Sequence, residues 1–117
     1  MNPVRWQAML DEVTAVHGVR GAMVISADDG LVVYHAAMEG LETADVAALA
    51  SALVRRCESL VTALGEPSVR LCTLAAERGS VLAARGEGGL WMVAVTEPDA
   101  ELGRLRLLLG DHATELA

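Results

Sequence analysis

The sequence predicts an α+β fold, a five-stranded antiparallel sheet with helices on both faces. Three observations carry this. Segments with apolar residues at helical spacing and short apolar runs follow one another in the order helix, two strands, helix, three strands, helix. The strand-to-strand connections are short and rich in Asp and Gly, which suits hairpins and therefore antiparallel pairs. The chain of 117 residues is sized for one core, so all eight elements should share it.

Taking the elements in order, residues 3 to 17 place Trp6, Met9, Leu10, Val13 and Val16 at helical spacing, with Pro3 in the first turn and Gly18 just beyond. Two strands follow, Val19 to Ser26 and Leu31 to Ala36. Ala27-Asp28-Asp29-Gly30 joins them, and its Asp-Gly pair supplies the positive backbone angles of a tight turn. Ala22, Met23, Val24 and Ile25 are apolar in succession, so the first strand should be covered on both faces.

From Leu41 to Leu64 the period is helical again, with Thr43 as N-cap and Gly65 and Pro67 as the stop. Val46, Leu49, Ala50, Leu53, Cys57, Leu60, Val61 and Leu64 form one stripe, which Ala47 and Val54 make wider than a single core needs. Something besides its own sheet should cover the excess. The opposite face carries Ala48, Ala52, Ser59 and Ala63 among Asp45, Arg55 and Arg56, small enough for close approach of another surface.

Three strands come next: Ser68 to Leu74, Val81 to Arg85 and Leu90 to Thr96, joined by Glu77-Arg78-Gly79-Ser80 and Gly86-Glu87-Gly88-Gly89. The alternation through Val69, Arg70, Leu71, Cys72 and Thr73 suits a half-covered edge, whereas Leu-Trp-Met-Val-Ala-Val reads as a central strand. Glu97-Pro98-Asp99 then caps a last helix with Leu102, Leu105, Leu109, Ala113 and Leu116 on one stripe.

Composition removes several chemistries. All nine basic residues are arginine. Without lysine there is no Walker-type phosphate loop and no Schiff base. The net charge of −7 is spread evenly along the chain, so no basic stripe is present for nucleic acid. The longest strongly apolar run, Leu90 to Val95, is far short of the roughly 20 residues that span a bilayer, and the N-terminus has no signal-peptide pattern. A soluble cytoplasmic protein without membrane insertion is expected. Aromatic content of 3% equips the chain poorly for stacking on a cofactor.

No nucleophile motif is present, since Ser80 follows Gly79 in a hairpin and not on a strand-to-helix elbow. His17, His35 and His112 are isolated, and no metal site is expected. Asp28 and Asp29 read as a turn, and the glycines at 86, 88 and 89 lead into a strand, so no helix N-terminus would face a phosphate there. Arg55 and Arg56 could act as an arginine finger, against the simpler reading of a solvated face. Cys57 and Cys72 read as reduced, buried thiols.

The chain resembles the Roadblock/dynein light-chain family over essentially its whole length. The residues that carry the resemblance are VHGVRGAMVISADDGLVV, the acidic opening LETADVAALASALV of the long helix, and LGRLRLLL in the last one. The resemblance implies a profilin-like sandwich with strand order 2-1-5-4-3, the long helix on one face and the other two on the opposite face. It also implies a homodimer in which third strands join and second helices pack together. Here that interface would draw on Val54, Cys57 and Val61 of the helix and on Val69, Arg70, Leu71 and Cys72 of the joining edge. Family members bind Ras-like GTPases, and the bacterial gliding-protein MglB type promotes GTP hydrolysis by a partner GTPase. The corresponding docking surface would be Ala48, Ala52, Arg56, Ser59 and Ala63.

The expectation is therefore a non-catalytic, cofactor-free, homodimeric regulator of a small GTPase. The alternative is a small-molecule sensor domain, which would need a pocket between sheet and helix.

Overall fold

The computed structural model of the chain describes residues 3–116. Its elements are α1 (Pro3–Thr14), β1 (Val19–Ser26), β2 (Leu31–Ala36), α2 (Thr43–Ala63), β3 (Leu71–Ala76), β4 (Gly79–Arg85), β5 (Leu90–Thr96) and α3 (Leu102–Ala113). The five strands form one sheet in the order β2-β1-β5-β4-β3, every neighbouring pair antiparallel. This is the fold class and strand order expected.

Because side chains alternate across a strand, β1 and β5 feed two cores. Ala22, Val24, Met92 and Ala94 point to one face, where Trp6, Met9, Leu10 and Val13 of α1 and Leu105, Leu109 and Ala113 of α3 bury them. Met23, Ile25, Trp91 and Val93 point to the other, where Ala47, Ala50 and Val54 of α2 cover them. The helix distribution, α2 alone on one face and α1 with α3 on the other, follows from these two clusters.

The turns differ from expectation in detail. Between β1 and β2 only Gly30 has a positive φ, 69°, and its N–H donates to the carbonyl of Ser26 at 2.9 Å. The aspartates before it keep ordinary angles because the connection takes four residues, Ser26 pairing with Leu31. At Gly18 the chain turns with φ 86°, and a Cβ there would stand 2.5 Å from Ala100 Cα. Glycine is required at that point both for its angle and for the close approach of the two segments.

Thr43 is not the N-cap of α2. Glu42 occupies that position, without a side-chain capping bond. The preceding turn, in which Leu41 N–H donates to the carbonyl of Met38 and Gly40 has φ 77°, sets the helix entry one residue earlier. The other end matches its signal: Glu66 N–H donates to the carbonyl of Val61 and Gly65 N–H to that of Thr62, a Schellman closure with glycine left-handed at φ 85°.

β3 runs Leu71–Ala76, displaced from the Ser68 to Leu74 expected. Two contacts move it. Val69 N–H is drawn to the Glu58 carboxylate at 3.4 Å, and at the far end Ala76 pairs with Gly79, leaving Glu77 and Arg78 alone in the turn. The cap of α3 is Glu101, not the Glu97 to Asp99 segment. That segment instead holds the α1–β1 turn: Glu97 N–H donates to the Gly18 carbonyl, and Asp99 meets His17 Nε2 at 3.0 Å. Among the described residues no helix is long and apolar enough to cross a membrane.

Candidate protein-interaction surface

The inner line of α2 is set by Ala47, Ala50, Ser51 and Val54, all buried. Ser51 satisfies its hydroxyl by donating to the carbonyl of Ala47 at 2.8 Å, so a polar residue is tolerated against the sheet. Small residues here let the helix lie close to the strands. An apolar stripe as broad as this one cannot all face inward, because a single sheet covers about a third of a helix circumference.

The overflow is on the outside. Leu49, Leu60 and Leu64 leave 71%, 61% and 70% of their surface to solvent, with Leu53 half-buried between them. Positions 49, 53, 60 and 64 fall on one side of the helix at i, i+4, i+11 and i+15 spacing. They form a ridge of leucine.

The third strand lies at the end of the sheet, bonded to β4 on one side only. Its sequence, LCTLAA, contains no charge and no proline, the usual devices that keep an open edge from pairing. Leu71 and Leu74 are exposed along it. An uncharged edge strand and a leucine ridge on the same molecule are two unsatisfied surfaces of the kind that association buries.

The interface residues expected from sequence are divided by the fold. Arg70 and Leu71 are at the surface; Cys57 and Val61 are half-buried against the core beneath α2. Val54, 1% exposed, belongs to the inner line and packs on the chain's own sheet, as do the buried Val69 and Cys72. The exposed Leu49, Leu60 and Leu64 are what reasoning from sequence left in the core stripe, whereas Leu74 falls in the expected joining strand. Their signal was the excess width of the stripe, which was visible, but which edge of the stripe turned outward was not.

On the next sector of α2, Ala48, Arg56, Ser59 and Ala63 are exposed and Ala52 is half-buried. Arg55 is not part of it. Its guanidinium donates to the carbonyl of Ala27 at 2.9 Å and ties α2 to the β1–β2 hairpin, so a structural contact replaces the arginine-finger reading.

The titratable groups serve structure. His112 meets Glu12 at 2.9 Å, joining α3 to α1, and Arg5 meets Glu115 at 2.6 Å. The bond from His17 holds Asp99 below the usual carboxylate range, and that from Arg5 does the same to Glu115. Burial pushes the Cys72 thiol up to about 12, with a hydrogen bond and charge from Cys57 and the charge of Glu58 adding to it. Both cysteines are free. Among the described residues no three His, Cys, Asp or Glu side chains gather as a metal site.

Comparison with known proteins gives a consistent outcome. The family model for the Roadblock/LC7 domain matches residues 6–96. No curated protein matches the chain in sequence. Among solved structures it is similar to a Roadblock/LC7 domain from Streptomyces avermitilis, with 18% identity, TM-score 0.85, and 97% of this chain and 94% of that one covered. It is similar to an MglB with a tetrameric arrangement, at 24% identity and TM-score 0.88, covering 98% and 87%. The gliding protein MglB of Thermus thermophilus also resembles it, at 22% identity and TM-score 0.83, covering 97% and 92%.

Proposed function

Since the chain belongs to the Roadblock/LC7 family, we propose that it is a non-catalytic, homodimeric cytoplasmic regulator that binds a Ras-like small GTPase and modulates its cycle. The observation that carries the homodimer is the uncharged open edge of β3 together with Leu49, Leu60 and Leu64 on α2. A two-fold partner would continue the sheet through β3 and bury the leucines in the same event, since a two-fold contact presents each patch to its own copy. The tetrameric arrangement of one MglB neighbour is in keeping with self-association through this fold.

The GTPase is assigned to Ala48, Ala52, Arg56, Ser59 and Ala63, a sector of α2 beside the leucine ridge in which every side chain but Arg56 is small. Its shallow relief suits a flat partner surface, and Arg56 supplies a positive charge that no acid of this chain pairs among the described residues. Against the sensor reading, Met23, Ile25, Ala47 and Val93 pack the centre of the layer between α2 and the sheet, and the cleft of about 410 Å³ at its border, lined by Val54, Arg55, Glu58, Arg85 and Trp91, is open to solvent.

Co-purification with small GTPases of the source cell, loaded with GDP or with a non-hydrolysable GTP analogue, tests the assignment. Capture in one nucleotide state, lost with Ala52→Arg while the dimer persists, is the expected result. Equal absence of capture in both states sinks it.

A further inference from the structure

The chain has only two cysteines, and the fold brings them together. Cys57 of α2 packs against the core between that helix and the sheet, and Cys72 belongs to the same core from β3. The cross-strand partner of Cys72 is Ala83, itself in that core, so the sulfur is directed at α2 and not at α1 or α3. One residue further along the helix, the Glu58 carboxylate accepts from Val69 N–H at 3.4 Å, which ties this turn of α2 to the stretch leading into β3. The two thiols are in hydrogen-bond contact.

Their access to solvent differs. Cys72 is 6% exposed whereas Cys57 is half-buried, so a dissolved reagent meets Cys57 first. Burial, then the hydrogen bond and charge of Cys57 and the charge of Glu58, keep the Cys72 thiol protonated. Cys72 is therefore shielded from outside, yet it lies against the other sulfur. Once Cys57 is capped it carries no charge, and its share in holding the Cys72 proton is gone. Cys72 then stands beside the bond it would attack, and such placement replaces a bimolecular encounter by a local one.

We propose that Cys57 and Cys72 form a reversible latch, an intrachain disulfide closed by a low-molecular-weight disulfide and reopened by a thiol. In the first step the Cys57 sulfur bonds to one sulfur of the reagent, whose S–S bond breaks, and the other half leaves as a thiol with the Cys57 proton. In the second the Cys72 sulfur bonds to that of Cys57, the mixed disulfide breaks, and a second thiol leaves with the Cys72 proton. The two cysteines are oxidised and the reagent is reduced to two thiols. The bridge pins the second half of α2 to β3 and restricts the unfolded chain by closing the loop from residue 57 to residue 72. It lies within one chain, so it does not depend on association or on a GTPase.

Oxidised glutathione added to the full chain at mildly alkaline pH, followed by alkylation of free thiols and mass spectrometry, tests this. Trypsin cleaves after Arg56, Arg70 and Arg78, which puts the cysteines in separate peptides, 57–70 and 71–78, and a pair that stays joined until reduced identifies the bridge. The wild type is expected to end lighter by two hydrogens, with these peptides joined and no link between chains. Cys72→Ala should stop as a glutathione adduct on Cys57, and Cys57→Ala should react at least about tenfold more slowly, its remaining thiol being shielded. Circular dichroism verifies that each variant is folded. The bridged wild type should unfold at a higher urea concentration than the reduced chain. A wild type that does not react or stops at the Cys57 adduct, a disulfide between chains, or a bridge that lowers the urea midpoint overturns the proposal.

Discussion

Leu60→Asp on the outer side of α2 gives the sharpest test of how this chain associates. Leu60 leaves 61% of its surface to solvent in the isolated chain. Burying a whole leucine side chain contributes about 1.5–3 kcal/mol, so covering that fraction gives roughly 1–2 kcal/mol per copy. A two-fold interface counts it twice, about 2–4 kcal/mol for the dimer, and the lower figure already corresponds to about a 30-fold change in dissociation constant. Aspartate adds the cost of drying a carboxylate. In the monomer the site is solvated, so folding stability should change by no more than about 0.5 kcal/mol. Size-exclusion chromatography with light scattering over a dilution series reads the result: wild type near 25 kDa, about twice the 12.3 kDa chain, and the variant dissociating at a concentration at least about 30-fold higher. Leu107→Asp is the control, since Leu107 on α3 is 73% exposed and outside the proposed interface. If Leu60→Asp dissociates at the wild-type concentration, or Leu107→Asp weakens the dimer equally, the reasoning from the leucine ridge is wrong.

Two further outcomes are expected. Gly18→Ala and Gly65→Ala share a φ near 85°, but only at Gly18 would the new Cβ strike backbone, at Ala100, while Gly65 has open space; urea unfolding followed by the buried Trp6 and Trp91 should show a loss of about 1 kcal/mol at Gly65 and about 3 at Gly18, and equal losses would contradict the close approach. The Cys72 thiol, ordinarily near 9 and raised to about 12 by burial, keeps its proton in the fold where the unfolded chain has released it. The unfolded state then binds fewer protons, so stability should fall as pH rises through that window. Cys72→Val should flatten the decline, and the absence of lysine keeps the alkaline range clear of amine side chains.

Much of this was legible from the residues. β1, β2 and β5 begin and end where apolar runs meet turn signals, because Gly30, Gly89 and Glu97 leave little freedom at those boundaries. β3 was misplaced because Ala75 and Ala76 carry no strand preference of their own; they pair because Gly79 brings β4 back against them. The cap of α3 differs because Asp99 turns its side chain to His17, distant in sequence, and that of α2 because the turn closed by Leu41 N–H on the Met38 carbonyl sets its entry. Strand order came from the family resemblance, as hairpin signals fix neighbours within each strand group but not which strands join the groups. For the interaction surface, the width of the α2 stripe was readable, yet Val54 and Leu60 are indistinguishable by hydrophobicity, and only the position of the sheet decides that one is core and the other surface.

The β1–β5 ladder has a kinetic meaning. It is the one strand pairing between the two hairpin groups, and it joins Val19–Ser26 to Leu90–Thr96, closing nearly the whole intervening chain into a loop. Such closure must be completed before its contacts reward it, which makes this ladder the natural slow step of folding. During synthesis β1 emerges long before its central partner, with apolar side chains on both faces and one hydrogen-bonding edge unfilled until Leu90 and the residues after it are made. A nascent or truncated chain ending before β5 is thus the form of this protein most exposed to aggregation, and the one on which chaperones would act.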